Sequence, residues 1–114
     1  MDPRIRRVYA PMTQTGFYIL LCLRQEAHGY GIVQQVDALT RGELHLSPGT
    51  LYGTLSKMEK DGLIRFLREE EKRKIYRITP LGEEVLQLEL QRIQNLAQTI
   101  KEVCSHDEIA KAGV

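Results

Sequence analysis

The chain has 114 residues, 42% of them hydrophobic and 27% charged, with a formal net charge of +1, which suits one globular domain built around a single core. No run approaches the roughly 18–20 apolar residues of a membrane helix, and the opening MDPRIRRVYAPMTQ lacks the apolar centre and cleavage site of a signal peptide, so a cytoplasmic protein is expected. Cys22 and Cys104 are too few and too far apart for a disulfide framework, and His28, His45 and His106 share no ligand spacing, so neither a metal nor any other cofactor is expected.

In chain order, the first dozen residues carry Arg4, Arg6, Arg7, Pro3 and Pro11 and read as an arm, not an element. Thr13 or Thr15 is placed to cap a mostly buried helix from Thr15 to about Ala27, whose apolar cluster runs from Phe17 to Leu23. Gly29 is expected to close it in the left-handed conformation. A second helix from Tyr30 to about Thr40 sets Ile32, Val33, Val36 and Leu39 on one stripe, and Gly42 ends it. The tetrapeptide ELHL, residues 43–46, alternates in polarity and predicts a short strand.

Ser47 followed by Pro48 is an N-cap with proline in the first helical position, where its missing N–H costs nothing. Leu51, Leu55 and Met58 give this third helix an inner face, and Asp61-Gly62 stops it. LIRFLREEEKRKIYRIT then reads as a β-hairpin, with Ile64 and Phe66 facing one way in its first strand and Tyr76 and Ile78 in its second. The charged REEEKRK between the two runs is expected to protrude as a turn, its three glutamates facing water.

Thr79-Pro80 opens the last helix by the same logic, with Glu83 and Glu84 near the positive end of its dipole. Leu86, Ile93 and Ile100 are seven apart, with Leu90, Leu96, Ala97 and Val103 between them, which is the spacing of a helix packed on another helix. About 25 residues would extend nearly 40 Å at about 1.5 Å per residue, longer than so small a domain can cover. These seven residues are therefore assigned to a homodimer interface. The chain is divided accordingly into an N-terminal arm with a helix-and-hairpin unit, residues 1–79, and a dimerisation helix with a tail, residues 80–114.

Helix, helix, short strand, helix, hairpin is the order of a winged helix-turn-helix, so the expected fold is mainly α with a small β-hairpin and a long C-terminal helix. The third helix then becomes the element that enters a DNA groove. Opposite Leu51, Leu55 and Met58 lie Gly49, Gly53, Ser56 and Lys60, flanked by Thr50, Tyr52 and Lys57. Two exposed glycines would each cost a helix roughly 1 kcal/mol against alanine. Small residues at the centre let the backbone approach a groove, and hydroxyls and lysines at the edges are donors to phosphate. The charge distribution agrees, since residues 1–79 hold 13 Lys or Arg against 9 Asp or Glu, and residues 80–114 hold 3 against 6. On the hairpin, phosphate contacts are assigned to Lys72, Arg73 and Lys74. No Arg or Asn occupies the centre of the helix, so base preference is expected to rest on Tyr52, Thr50, Ser56 and DNA shape.

The segments HGY (His28 to Tyr30), SPGTLY (Ser47 to Tyr52), MEKDGLI (Met58 to Ile64) and RKIYRITPLG (Arg73 to Gly82) together resemble the PadR family of bacterial transcriptional regulators, over about residues 13–103. The resemblance implies a homodimer, usually a repressor, that binds a near-palindromic operator and is released by a small molecule or other signal. It carries DNA contacts onto Ser47, Thr50, Tyr52, Ser56 and Lys57 in the helix and onto Lys72, Arg73, Lys74 and Tyr76 in the wing. Many relatives have proline where this chain has Gly53 and a second tyrosine where it has Ile75. With one helix after the wing, the chain resembles the compact subgroup.

Tyr9, Met12, Phe17, Tyr18 and Met58 are the candidates to line an inducer pocket between the N-terminal segment and the last helix, against the ordinary reading that they are core. A protein-interaction module that keeps the scaffold without binding DNA is the alternative function, favoured by the near-neutral charge and the acidic wing tip. An enzyme is not expected, because no Ser, Cys or Lys sits in an activating context and no glycine loop precedes a phosphate-binding helix.

Overall fold

In the computed structural model, residues 1–105 are described, and each of their five helices begins at a side chain that accepts from its own first turn. Asp2 caps α1 (Pro3–Tyr9), Thr13 caps α2 (Gln14–Cys22), His28 caps α3 (Gly29–Leu39), Ser47 caps α4 (Pro48–Lys60) and Thr79 caps α5 (Pro80–Cys104). These caps satisfy N–H groups that the helices cannot bond themselves. Between α4 and α5, β1 (Ile64–Glu70) and β2 (Arg73–Ile78) pair antiparallel. His106 and the rest of the expected tail lie outside the described residues.

The first residues form a helix where an arm is expected. Asp2-Pro3 repeats the cap-plus-proline signal of Ser47-Pro48 and Thr79-Pro80, and Ile5 and Tyr9, one turn apart, are buried in the core. α2 stops at Cys22, and Gly29 opens α3 instead of closing α2. The reason is a β-bridge. Ala27 N–H donates to the Tyr76 carbonyl and Tyr76 N–H to that of Ala27, at 3.1 and 2.9 Å, which draws residues 24–28 onto the wing. ELHL forms no strand: Glu43 N–H donates to the Thr40 carbonyl and Leu44 N–H to the Thr40 hydroxyl, which ties the segment to the end of α3, while Leu46 is buried and Leu44 packs on the core. Gly42 and Gly62 end α3 and α4 at φ +80 and +81, as their positions predict.

The hairpin is longer and its turn tighter than the charge run suggests. Its strands reach Glu70 and Arg73, leaving Glu71 and Lys72 as a two-residue turn with φ of 50 and 64, the signature of a type I′ connection. Phe66 pairs with Tyr76 but Arg68 pairs with Ile75, so Leu67 is an extra residue that forms a bulge. Tyr76 and Ile78 are both buried, as their alternation predicts, whereas Ile64 is buried and Phe66 is 45% exposed with its ring edge-on to Tyr76; past the bulge Ile75 is buried as well.

One core runs through the molecule, from Ile19, Leu20 and Leu23 of the α2 region through Ile32, Val36, Leu51, Leu55 and Met58 to Ile64 and Ile78. It continues across the boundary placed at Thr79, since Val85 and Leu86 of α5 belong to it. The joint is tight. Thr79 N–H donates to the Leu63 carbonyl, its hydroxyl donates to that of Gly62 at 2.6 Å, and Gly82 N–H donates to the Thr79 hydroxyl. A Cβ on Gly82 would strike the Leu63 carbonyl oxygen and come within 2.7 Å of Ile78 Cγ1. Cys22 is buried too, and burial pushes its thiol up to about 11.

Replacing Gly82 with alanine is expected to cost about 2 kcal/mol or more, as overpacking against backbone does, and to lower Tm by on the order of 10 °C. Thermal melting followed by circular dichroism measures it, and an unchanged Tm contradicts the tight joint.

Candidate nucleic-acid interface

α4 is anchored on one side only. Leu51, Leu55 and Met58 are at most 2% exposed, whereas Ser47, Gly49, Thr50, Tyr52, Gly53, Ser56, Lys57 and Lys60 are all exposed. A Cβ built on Gly49 or Gly53 would meet nothing within 4 Å, so no neighbour in the chain requires either glycine. Ser47 also donates its hydroxyl hydrogen to Thr50 Oγ1 at 3.0 Å while accepting from Thr50 N–H, which fixes the first turn of this outer face.

The wing stands beside that face. A cleft of about 390 Å³ separates them, lined by Tyr52 and Ser56 from α4, by Lys72, Arg73 and Lys74 from the wing, and by His28 and Tyr30 from the start of α3. Every one of these side chains carries an N–H or O–H donor, and Glu69 is the one carboxylate among the cleft residues. Gly29 makes the closure possible, because a Cβ there would lie 3.0 Å from the Tyr52 hydroxyl and 3.1 Å from Leu51. His28 and Tyr30 were legible only as part of the HGY motif; nothing in their spacing placed them opposite the wing.

Two expectations need correction. Tyr76 is 9% exposed and belongs to the core, with burial first and then Glu59 and Tyr52 raising its phenol above the ordinary value; it borders the cleft without projecting from the wing. The glutamates of the tip do not all face water alone. Glu70 and Glu26 each accept from the Arg68 guanidinium at 2.6 Å, and Glu69 lines the cleft. Arg68 is thereby committed, and the cations on the returning strand are Arg73 and Lys74 near the tip and Arg77 farther down, with Lys72 in the turn.

Comparison with known proteins matches residues 19–88 to the model of the transcriptional regulator PadR-like family. The chain belongs to that family. The transcriptional regulator Rv3488 of Mycobacterium tuberculosis is 34% identical over 84 residues, 71% of this chain and 76% of its own. Other curated relatives are much longer, and the chain spans 39% of their length. Among solved structures, a PadR family transcription regulator from Clostridium difficile superposes with a TM-score of 0.68 at 27% identity, over 79% of this chain and 97% of that one. Bacillus subtilis PadR, solved in complex with operator DNA, superposes with a TM-score of 0.57 at 25% identity, over 63% of this chain and 44% of its own.

Both ends of the PadR match are flanked by features of this chain. After it, α5 leaves the core. Leu86 is 1% exposed and spent on the chain's own interior, Leu90 is half-covered, Ile93 is 40% exposed at the edge of a cleft, and Leu96, Ala97, Ile100 and Val103 are exposed in the single chain. The stripe assigned to a partner therefore starts a turn later than the heptad spacing placed it. Glu89 occupies the turn where α5 departs; its buried carboxylate accepts from Arg92 Nε and Nη2 at 3.0 and 2.7 Å. The residues grouped as one inducer pocket separate into two clefts. Met12, Phe17 and Tyr18 border one of about 470 Å³ between α2 and α5, and Tyr9, Met12 and Met58 border another between α1 and α4.

Before the PadR match, α1 clasps α4. Tyr9 donates to Asp61 at 2.6 Å, Arg4 pairs with the same carboxylate at 3.1 Å, and Lys57 lies 5.6 Å from the centre of the Tyr9 ring. The Tyr9 hydroxyl, and after it Arg4, hold the Asp61 carboxyl below its ordinary range against the opposing effect of burial. Burial and that carboxylate in turn raise the Tyr9 phenol well above its own value. A lowered carboxyl pKa contributes stability above the unfolded value and loses it as pH falls through the folded one. Tyr9→Phe is accordingly expected to cost about 1–2 kcal/mol near pH 7, the gap from wild type narrowing between about pH 5 and pH 2. Urea denaturation across that range measures it, and a gap independent of pH contradicts the clasp.

Proposed function

We propose that this chain is a sequence-specific, DNA-binding transcriptional regulator that acts as a cytoplasmic homodimer, with α4 in the major groove and the wing on the flanking phosphates. The observation that carries the reading is the open space over Gly49 and Gly53 on a helix held by its opposite face. Ser47, Thr50, Tyr52, Ser56, Lys57 and Lys60 frame that space, and Lys72, Arg73 and Lys74 extend it across the wing. The operator complex of Bacillus subtilis PadR supports the assignment by family. Two copies related by a two-fold axis through the exposed end of α5 would present two such helices to a near-palindromic site, one helical turn of about 34 Å apart or a multiple of it.

Repression with release by a small molecule follows the same geometry. The apolar cleft between α2 and α5 is bordered by Phe17, Tyr18, Leu21 and Ile93, so an occupant there bears on the helix that sets the spacing. A ligand that binds two spacings unequally shifts affinity for the operator.

Gly49→Ala and Gly53→Ala test the groove reading with two readouts of opposite sign. Each alanine is expected to raise stability by about 0.5–1 kcal/mol through helix propensity, while operator affinity, read by fluorescence anisotropy, falls at least about tenfold as the backbone is held off the groove. Stabilised variants that bind as well as wild type defeat the reading. For the dimer, Ile93→Asp with Ile100→Asp is expected to give a folded monomer by sedimentation, with operator affinity reduced by about 100-fold or more. Full affinity from such a monomer removes the spacing mechanism. Wild-type affinity should fall steeply with salt, whereas the protein-interaction alternative gives no DNA complex at any salt.

A further inference from the structure

His28 makes two contacts that its ring cannot both supply as an acceptor. Its Nδ1 accepts from Gly31 N–H at 3.0 Å, capping α3, and its Nε2 lies 3.2 Å from Arg73 Nη1. A neutral imidazole has one acceptor nitrogen and one N–H, and an imidazolium has no acceptor. The cap takes the acceptor, because a first-turn amide has no partner inside its own helix, whereas the exposed Arg73 guanidinium reaches water. Nε2 therefore carries hydrogen. Two N–H donors then converge at 3.2 Å with no acceptor between them, and the Tyr30 ring lies 5.7 Å from the guanidinium, a cation–π contact that helps hold Arg73.

An oxygen anion completes such a pair. His28 and Arg73 border two clefts, one lined by Glu70 and Glu71 and one lined by further donors, Tyr52, Ser56 and Lys74 among them, with Glu69 as its carboxylate; the donor-lined one is the one that suits an anion. We infer that His28 Nε2–H and the Arg73 guanidinium form a two-donor seat for one non-bridging phosphate oxygen of the DNA backbone, adding a contact from α3 to those of the recognition helix and wing. The inference rests on the DNA-binding reading. It commits to a backbone phosphate, not free phosphate, because the seat opens between α4 and the wing, where a duplex lying on the bare face must pass.

The test separates the ring's two duties. Asparagine and serine are strong N-caps, so His28→Asn and His28→Ser keep α3 started while removing the Nε2–H. Both should melt within a few degrees of wild type and bind a duplex, selected by the wild-type protein from a random pool, about tenfold more weakly. Arg73→Gln should lower the salt dependence of binding by about one phosphate per protomer. In that background His28→Asn should add less than about twofold, because both donors serve one oxygen. Imidazole NMR of the wild-type protein should show the Nε2–H signal of His28 moving downfield on adding the duplex and standing still on adding inorganic phosphate at equal ionic strength.

Unchanged affinity in both capping variants, or the full tenfold loss persisting beside Arg73→Gln, overturns the seat. So does a His28 signal indifferent to the duplex, or one that inorganic phosphate saturates. A wild-type protein that captures no duplex removes the regulator reading beneath it, whereas wild-type binding with indifferent variants removes the seat alone.

Discussion

Three apolar side chains on one side of α4 set the terms for everything else. Leu51, Leu55 and Met58 sink into a core shared by every other helix and the hairpin, and through them the helix is held without help from its remaining surface. A helix anchored by a single stripe can leave its far side undecorated, and the chain does so at Gly49 and Gly53 although alanine would be the better helix former. The surrounding elements act on its two ends. α1 grips the C-terminal end through Asp61, the Ser47 cap fixes the N-terminal turn, and the opening residues of α3 wall off the space between that turn and the wing.

What the amino-acid order reveals well are boundaries with a local physical cause. Ser47-Pro48 and Thr79-Pro80 start helices where a hydroxyl can cap and a proline loses nothing, and Gly42 and Gly62 end them where the backbone must turn left-handed. The same signal stood at Asp2-Pro3, yet seven residues rich in arginine bury only Ile5 and Tyr9, too few for a periodicity to emerge. Features set by distant pairing were not legible. Ala27 joins the wing through backbone bonds that any residue but proline could make, and that bridge removes the expected role of Gly29. The bulge at Leu67 likewise sets Ile75 opposite Arg68 and shifts the pairing toward the tip, an outcome fixed by register and not by composition.

The candidate site divides along the same line. The outer face of α4 follows from a period of 3.6 residues, so its members could be named in advance and all of them are exposed. The part contributed by α3 could not, because His28 and Tyr30 reach the wing through tertiary packing across 45 positions of sequence in the case of His28 and Arg73. Leu86 shows the converse, a heptad position claimed by the chain's own interior before any second copy can use it. Where α5 departs, the buried Glu89 and its Arg92 partner mark the change from a helix face that serves one chain to a face left open.

The two cysteines end up chemically unequal. Cys22 is sealed in the core with its thiol pushed up to about 11, so at neutral pH it offers almost no thiolate to an electrophile. Cys104 sits partly open in the last turn of α5, at the opposite end of that helix from the wing. The chain thus carries one addressable sulfur at the tip of its longest rod, a ready attachment point for a spin label or fluorophore through which the separation of two copies can be followed without engineering a cysteine in or out.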